Sequence, residues 1–428
     1  MSAATTTTTN RPAASRGPLT DLLMGGGPAR RAAWIVVGLM LLVSVVRTVS
    51  GEQALTSSST FATALLLAVP IGLAALGGLF SERAGVVNIG LEGMMILGTW
   101  GAGWAGYQWG WAGAIVGGVL FGAAGGLLHA VATVTFGVDH VVSGVAINIL
   151  AGGIVRFLSE LVYVDNKAGG GVTQSPALSS RPPSFSLPVL SDGPDLLGDL
   201  ADRQWFLVSD VAGLLRGVTS GVGVLTLVAI LLVPISYLVL WRTAFGLRLR
   251  ACGENPAAAD SLGVPVYRMK YIAVLISGGL AGLGGVALVF VANIFKEGQT
   301  GGRGFIGLAA LIFGNWRPGG LAAGAGLFGF ADGLQLRSRT AVVALLLLLA
   351  VLLLVVAVLQ TVRGKYLQAV LAAGFAALSL VGFLTIGELP EGIVSFTPHL
   401  ITLLVLSLAS QRLRMPKADG LVYRRGEH

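Results

Sequence analysis

Two polar residues, Asn88 and Glu92, stand four positions apart at the start of an apolar run, in the stretch SERAGVVNIGLEGMM. Residues four apart in a helix lie on the same face. An ionised acid near the middle of a bilayer costs on the order of +2.5 to +3.5 kcal/mol, so it usually faces a cavity or a partner. The spacing therefore predicts either that both side chains line a solute path, or that Glu92 pairs with a nearby donor while Asn88 caps a broken helix.

Four further polar side chains lie in apolar surroundings: Ser143, Asn148, Asn293 and Asp332. Each could hydrogen-bond a polar solute, and each could equally join neighbouring helices, which is a common role of polar residues in membranes. Together with Asn88 and Glu92, these residues form our set of candidates for a substrate path.

Glycine, histidine and cysteine patterns give no sign of nucleotide or metal chemistry. The spacing G-x-G-x-x-G begins at Gly101 and again at Gly324, but neither occurrence follows a strand that opens a βαβ unit, and 63 glycines make chance matches common. No G-x-x-x-x-G-K-[ST] loop occurs, so ATP and its Mg²⁺ would have to be bound by a partner. The four histidines lack metal-ligand spacing, and the single Cys252 excludes an internal disulfide. We expect a chain without catalytic residues, metal or cofactor.

A short helix is predicted in the polar stretch between residues 242 and 270. Asn255 is a good N-cap, Pro256 suits the first helical position, and Gly263 can end the helix. A short, stiff helix on the surface is suited to fit into a groove on a moving partner.

The elements that must position these residues are membrane helices. The chain has 428 residues, of which 54% are hydrophobic and 11% charged, whereas soluble domains carry about 25% charged residues. Many small residues favour close packing of helices in a bilayer. We predict an all-α, polytopic transmembrane bundle of about 10–12 spans, some of them discontinuous or re-entrant. Apolar stretches lie at about residues 32–49, 60–80, 86–106, 111–136, 141–162, 222–241, 271–293, 305–313, 320–336, 341–359, 367–386 and 396–411.

Clusters of Lys and Arg predict the orientation. They occur before residue 32, between residues 242 and 270, and after residue 411, and basic loops tend to stay in the cytoplasm. The net charge of +8 is therefore interpreted as a topology signal and not as a nucleic-acid surface. We expect a disordered cytoplasmic tail over 1–31, a transmembrane domain over 32–411 and a cytoplasmic tail over 412–428. The return of the tail to the cytoplasm requires residues 305–336 to cross twice or to form a re-entrant pair around 314–320.

Residues 163–221 form a polar stretch with six Asp against four Lys or Arg. The orientation places this loop outside the cell. It is either a passive linker or part of a docking surface for an external solute-binding protein.

Three stretches in order resemble one family: ERAGVVNIGLEGMMILGTWGA from Glu82, GLRLRACGENPAAADSLGVPVYRMKYIAVLISGGLAGLGGV from Gly246, and GFIGLAALIFGNWRPGGLAAGAGLFGFADGLQLR from Gly304. The ending LPEGIVSFTPHLITLLVLSL from Leu389 resembles it too. The family is that of ATP-binding-cassette (ABC) importer permeases for branched-chain amino acids and simple sugars, and the nearest group is that of nucleoside-importer permeases. The likeness covers most of residues 60–336, whereas residues 341–386 depart from it by adding two hydrophobic spans.

The resemblance implies a bacterial plasma-membrane complex of two permease subunits, often non-identical, with two cytoplasmic ATPases that bind ATP and Mg²⁺ and an extracytoplasmic solute-binding lipoprotein. It implies that Asn88 and Glu92 lie near the translocation path and that the short helix is a coupling helix that meets the ATPases. The residues assigned to coupling are Gly253, Glu254, Asn255, Pro256, Ala258 and Gly263.

Nucleosides are the first choice of solute, ahead of simple sugars and branched-chain amino acids. Two other classes stay open on the residues alone. One is an ion-coupled secondary transporter with Glu92 and Asp332 as coupling acids, for which broken helices would also be suitable. The other is a structural or assembly protein of the membrane.

Overall fold

The computed structural model describes residues 28–337, 339–387 and 413–426. Helices make up nearly all of its regular structure, as predicted. In chain order they are α1 (Pro28–Ser50), α2 (Ser58–Arg83), α3 (Leu91–Ala130), α4 (His140–Tyr163), α5 (Leu196–Asp202), α6 (Val208–Thr219), α7 (Val224–Arg242), α8 (Ala244–Glu254), α9 (Pro256–Ser261), α10 (Val266–Ala292), α11 (Arg303–Phe313), α12 (Pro318–Arg337), α13 (Arg339–Val362) and α14 (Tyr366–Thr385). Two-residue strands β1 (Ser184–Phe185) and β2 (Val222–Gly223) form one antiparallel pair.

Seven helices among the described residues are long and apolar enough to cross a membrane: α2, α3 with the π-turn Val131–Thr135 that follows it, α4, α7, α10, α13 and α14. α3 is itself a hairpin, because Gly110 has non-helical angles (φ 72°, ψ −166°). A Cβ on Gly101 would lie 2.6 Å from the carbonyl oxygen of Gly117, so the two legs pack closely and antiparallel. The apolar stretches predicted at 86–106 and 111–136 correspond to these two legs, except that residues 86–90 are not helical and the first leg begins at Leu91. The all-α membrane bundle predicted from the sequence is confirmed.

Small residues bring α2, α3 and α10 together in the centre of the bundle. A Cβ on Gly98 would lie 2.4 Å from the Cα of Gly282, and one on Gly122 would lie 2.4 Å from the carbonyl oxygen of Gly278. Such close approach is how membrane helices gain packing energy without a hydrophobic driving force between them. The same contacts fix the position of the polar side chains between these helices.

Residues 293–337 contain the discontinuous element that the sequence predicts. α11 has 11 residues, about 16 Å at 1.5 Å per residue, which is too short to cross the hydrocarbon core alone. α11 runs from the middle of the bundle to the turn at residues 314–317, and α12 returns across the bundle. Gly314 and Gly320 pack against each other in this turn, since a Cβ on Gly320 would lie 2.3 Å from the Gly314 carbonyl oxygen.

The polar loop at 164–223 is a folded cap over one end of the bundle. Backbone hydrogen bonds join it to the segment after α10, from Leu178 to Asn293 (3.0 Å) and from Glu297 to Thr173 (2.8 Å). Helix α6 of the loop is held by a buried ion pair between Arg47 and Asp210, at 3.1 Å. Gly217 of the loop packs against Ser58 at the start of α2, whereas Gly253 of α8 packs against Arg83 at the end of α2, so the loop and α8 lie at opposite ends of the bundle.

The two additional spans predicted at 341–386 are α13 and α14, which pack against each other at the rim of the bundle, with α13 also against α1 and α12. The predicted span at 396–411 and most of the predicted N-terminal tail at 1–31 lie outside the described residues.

Candidate translocation core and coupling surface

Residues 84–90, here called the broken segment, connect α2 to α3 and are not helical. Side chains of neighbouring helices form hydrogen bonds with the backbone of this segment. Gly85 has a φ of +80°. The Asn148 side chain of α4 accepts a hydrogen bond from the Gly93 amide at 2.7 Å and donates one to the Ile89 carbonyl at 3.0 Å. Because an unpaired backbone group in a bilayer is costly, Asn148 is a main reason why the chain can leave helical geometry here.

Two histidines complete the support of this segment. His129 donates from Nε2 to the Val87 carbonyl at 3.0 Å, which leaves Nδ1 to accept from the Ser143 hydroxyl at 2.9 Å. The Val87 amide donates to Nδ1 of His140 at 3.3 Å. Ser143 thus acts on the broken segment through His129. The spacing of the histidines argued against a metal site, but it gave no signal of this role as backbone support.

Asn88 belongs to the broken segment itself and not, as the spacing had predicted, to a helical face shared with Glu92, and its fully buried side chain faces α10. Its amide nitrogen donates to the Ser277 hydroxyl at 2.8 Å and contacts the sulfur of Met94 at 3.3 Å. Its carbonyl oxygen is buried without a hydrogen-bond partner among the described residues. This oxygen is a spare acceptor in the middle of the bundle.

Glu92 caps the half-helix α11. Its two carboxylate oxygens accept hydrogen bonds from the amides of Gly302 (3.0 Å) and Gly304 (2.6 Å). The start of a helix carries partial positive charge, so a carboxylate is stabilised there. Gly304 is required by this contact, because a Cβ on it would lie 2.5 Å from the Glu92 Cα.

Asp332 is on α12, and its side chain contacts Arg303 at the start of the same half-helix, α11. It accepts a hydrogen bond from Arg303 at 2.5 Å, and the two side chains are 11% and 18% exposed. The structure therefore brings Glu92 and Asp332 together at the start of α11, one through the backbone and one through Arg303. Arg303 was missed by the sequence analysis, although a lone arginine at the start of an apolar run was a signal.

Asn293 lies apart from this group, at the end of α10 beneath the cap. Its backbone is left-handed (φ 60°). It lines a cavity of about 430 Å³ whose wall also includes Arg181, Thr226 and Phe290. Of the six path candidates, five surround the broken segment or the start of α11, and Asn293 does not.

The predicted short helix is confirmed as α9. The Asn255 side chain accepts a hydrogen bond from the Ala258 amide at 3.0 Å, Pro256 occupies the first turn, and Gly263 has a φ of +81° just beyond the end. Leu262 is 84% exposed at the tip of α9. The side chain of Leu262 is therefore accessible to a partner that docks on α9, although a single exposed leucine does not by itself identify such a contact.

Gly253 connects α9 to the broken segment. A Cβ on Gly253 would lie 2.3 Å from the carbonyl oxygen of Arg83, the last residue of α2. Glu254 and Ala258 are exposed on the surface of α8 and α9. The neighbouring Cys252 is buried, and burial raises the pKa of its thiol to about 11. One candidate coupling residue, Gly253, therefore contacts the chain at Arg83 and Gly85, just before the path candidate Asn88.

Residues 60–356 match the family described as branched-chain amino acid transport system, permease component. The guanosine ABC transporter permease protein NupQ of Bacillus subtilis is 34% identical over 85% of this chain and 95% of its own length. The nucleoside ABC transporter permease protein NupC of Lactococcus lactis is 31% identical over the same shares. The putative glucose ABC transporter permease protein TsgC13 of Haloferax volcanii is 35% identical over 64% of this chain and 75% of its own length.

No solved structure matches this chain. The three relatives are named as subunits of ABC transporters, so they give no support to an ion-coupled carrier. The resemblance of the three motif stretches is confirmed by a match that includes most of α13 as well. The chain belongs to the family of branched-chain amino acid transport system permease components and is a multi-pass membrane permease subunit of an ABC transporter.

Proposed function

We propose that this permease carries nucleosides into the cell, with energy from a partner ATPase that acts on α9. The observation that carries the proposal is the pair of relatives named for guanosine and nucleosides, which match over 95% of their own lengths. The putative glucose permease matches over a smaller share, so simple sugars rank second.

The charges in the core support a neutral solute. Glu92 is held by the start of α11, and Asp332 is paired with Arg303. Among the described residues, the polar atoms without a partner near them include the uncharged Asn88 carbonyl oxygen and the Nε of Arg303, whose charge is already paired with Asp332. A nucleoside is polar and uncharged at neutral pH, so it needs hydrogen bonds and no counter-ion.

The contacts also support a mechanical route from α9 to the path. Gly253, three residues before α9, packs against the end of α2. From the end of α2 the chain continues through residues 84–90, which include Asn88, to Glu92 in the first turn of α3. In an alternating-access cycle, closure of the ATPases displaces α9, and this displacement shifts the broken segment relative to α11. Asn88, Glu92, Ser143, Asn148 and Asp332 then border the opening.

The assembly in this proposal contains a second permease subunit, two ATPases that bind ATP and Mg²⁺, and an external solute-binding lipoprotein that docks on the side of the 164–223 cap. The cytoplasmic side is the side of α8 and α9. A cysteine at Leu262 in a Cys252→Ala background should be labelled in inverted vesicles and protected in intact cells. Labelling in intact cells would reject the orientation.

The transport proposal is tested by uptake of labelled guanosine into cells that express the whole complex. Uptake should persist with a proton or sodium ionophore, fall to background when ATP is depleted, and be reduced by excess uridine but not by excess glucose or leucine. Uptake that is abolished by the ionophore at constant ATP would overturn the proposal that a partner ATPase supplies the energy. Competition by glucose or leucine, with none by uridine, would overturn the solute class.

A further inference from the structure

Residues 413–426, here called the C-terminal strap, lie against the end of the bundle that carries α8 and α9. The Ala418 amide donates to the Gly253 carbonyl oxygen at 2.8 Å. Arg425 donates to the Asp260 carboxylate of α9 at 3.1 Å. Residues 253–263 are here called the coupling surface. The strap thus contacts this surface at Gly253, which precedes α9, and at Asp260 within α9.

The strap also contacts the transmembrane body. The Arg414 amide donates to the Asn315 side chain, in the turn between α11 and α12, at 2.7 Å. The Ala418 carbonyl oxygen would lie 3.1 Å from a Cβ on Gly85, and Val87 lies next to Gly420. One short segment therefore touches the coupling surface, the broken segment and the turn after the half-helix.

The middle of the strap is packed like a core. Ala418, Asp419 and Tyr423 are 6%, 8% and 8% exposed, and the Tyr423 ring lies 5.7 Å from the ring of Tyr267 at the start of α10. A surface tail without a structural role would not bury these side chains.

α9 needs such support, since it has only six residues. Isolated helices shorter than about 12–15 residues are marginal in water, so tertiary contacts must determine where α9 lies. Within α9, Ala259 is buried in the core of the bundle, whereas Glu254 before the helix and Leu262 after it are exposed and do not anchor it. The strap supplies an anchor at Asp260, on α9 itself.

We infer that the C-terminal strap is a positioning element of the coupling surface, which holds α9 and Gly253 against the broken segment so that movement of α9 reaches Asn88 and Glu92. This inference rests on the proposed function, because it assumes that α9 receives the movement of an ATPase. The strap residues contact no proposed solute position, so their role is to position and not to bind.

The inference is tested in the assembled complex with three variants: a chain that ends at residue 412, Ala418→Pro, and Arg425→Asp. Proline removes the amide that donates to Gly253, and Arg425→Asp places two acids together at Asp260. Leu421→Ser is the matched control, because Leu421 lies on the same strap and is 59% exposed. The combination of Arg425→Asp with Asp260→Arg should restore the contact.

The first readout is the rate at which a thiol reagent modifies Cys252, measured by mass spectrometry. Cys252 precedes Gly253 and is buried. Loss of one hydrogen bond should raise the rate about two- to tenfold in Ala418→Pro, and truncation should raise it further. The second readout is guanosine-stimulated ATP hydrolysis, which should fall towards the basal rate in all three variants, whereas Leu421→Ser should change neither readout.

Unchanged Cys252 modification and unchanged stimulation in Ala418→Pro and Arg425→Asp would overturn the inference, even if the truncated chain failed to insert. Failure of the Arg425/Asp260 reversal to restore stimulation would reject the contact with α9. If Leu262→Asp abolishes stimulation while the strap variants do not, only the strap inference fails. If Leu262→Asp leaves stimulation intact as well, the coupling role of α9 fails.

Discussion

Glu92 illustrates how a carboxylate is accommodated in the middle of this bundle. Both of its oxygens accept backbone amides at the start of α11, so the half-helix and the acid stabilise each other. The sequence predicted two uses for Glu92, and the geometry shows the pairing with a nearby donor. The lining of a solute path by Glu92 stays a prediction.

Glu92→Gln should weaken the start of α11, because the amide keeps one acceptor and loses the charge. We expect a loss of about 1–3 kcal/mol in stability and a lower midpoint of thermal unfolding in detergent. Glu160→Gln, an exposed position on α4, serves as the control and should not shift the midpoint. An unfolding midpoint equal to that of the control would show that the cap does not stabilise α11.

Variants of the Arg303–Asp332 pair can distinguish a structural role of Asp332 from a role in ion coupling. Asp332→Asn leaves a largely buried arginine without its carboxylate, which should cost about 3 kcal/mol and lower the amount of folded protein. The double change Arg303→Met with Asp332→Leu should recover folding, because apolar residues can replace a buried pair. ATP-dependent guanosine uptake by this double variant would exclude Asp332 as a coupling acid. A folded double variant without uptake would show that the charges themselves are required.

At the scale of elements, local sequence determined some features and long-range contacts determined others. α9 could be predicted because Asn255, Pro256 and Gly263 are all within nine positions, and the structure has the expected cap. The cap of α11 could not be predicted, because Glu92 and Gly302 are separated by 210 residues. The strap was missed for the same reason, since its polar sequence resembles that of any basic tail.

The buried carboxyl group of Asp419 should make the docking of the strap depend on pH. Burial raises its pKa to about 9, and Lys270 of α10 and Glu82 and Arg83 of α2 are the charged groups that face it. The pKa of the docked form is above that of the exposed form, so docking is strongest below about pH 4 and weakens as the pH rises towards 9. The ratio of Cys252 modification rates, wild type over Asp419→Asn, should therefore rise between pH 6 and pH 9. A constant ratio would contradict the assignment, and taking the ratio cancels the titration of the thiol.

At the scale of the whole molecule, most apolar stretches became helices at the predicted places because hydrophobic length is a strong signal in a bilayer. The hairpin in α3 follows from one glycine, Gly110, whose angles the sequence could not specify. The position of the strap beside α8 places the tail at the same end as the coupling loop, as the parity of the basic clusters predicted. The side of the membrane on which this end lies stays a prediction.

The overall topology shows which polar candidates lie together, and the residue types alone could not show this. The path candidates were chosen as polar residues in apolar runs, and five of the six proved to surround the segment between α2 and α3 or the start of α11. Asn293 was not distinguishable from them by its sequence context, yet it lies under the 164–223 cap. Only the topology of α10, which ends at that cap, separates Asn293 from the others.

In the proposed mechanism, energy enters this permease through α9. The most direct test is guanosine-stimulated ATP hydrolysis by the complex in proteoliposomes, with Leu262→Asp compared with Leu421→Asp, a second exposed leucine at the same end. We predict that Leu262→Asp reduces the stimulated rate at least about tenfold while the permease stays folded and inserted, as expected for a central contact residue. Leu421→Asp should be unaffected. Full stimulation in the Leu262→Asp complex would contradict the account.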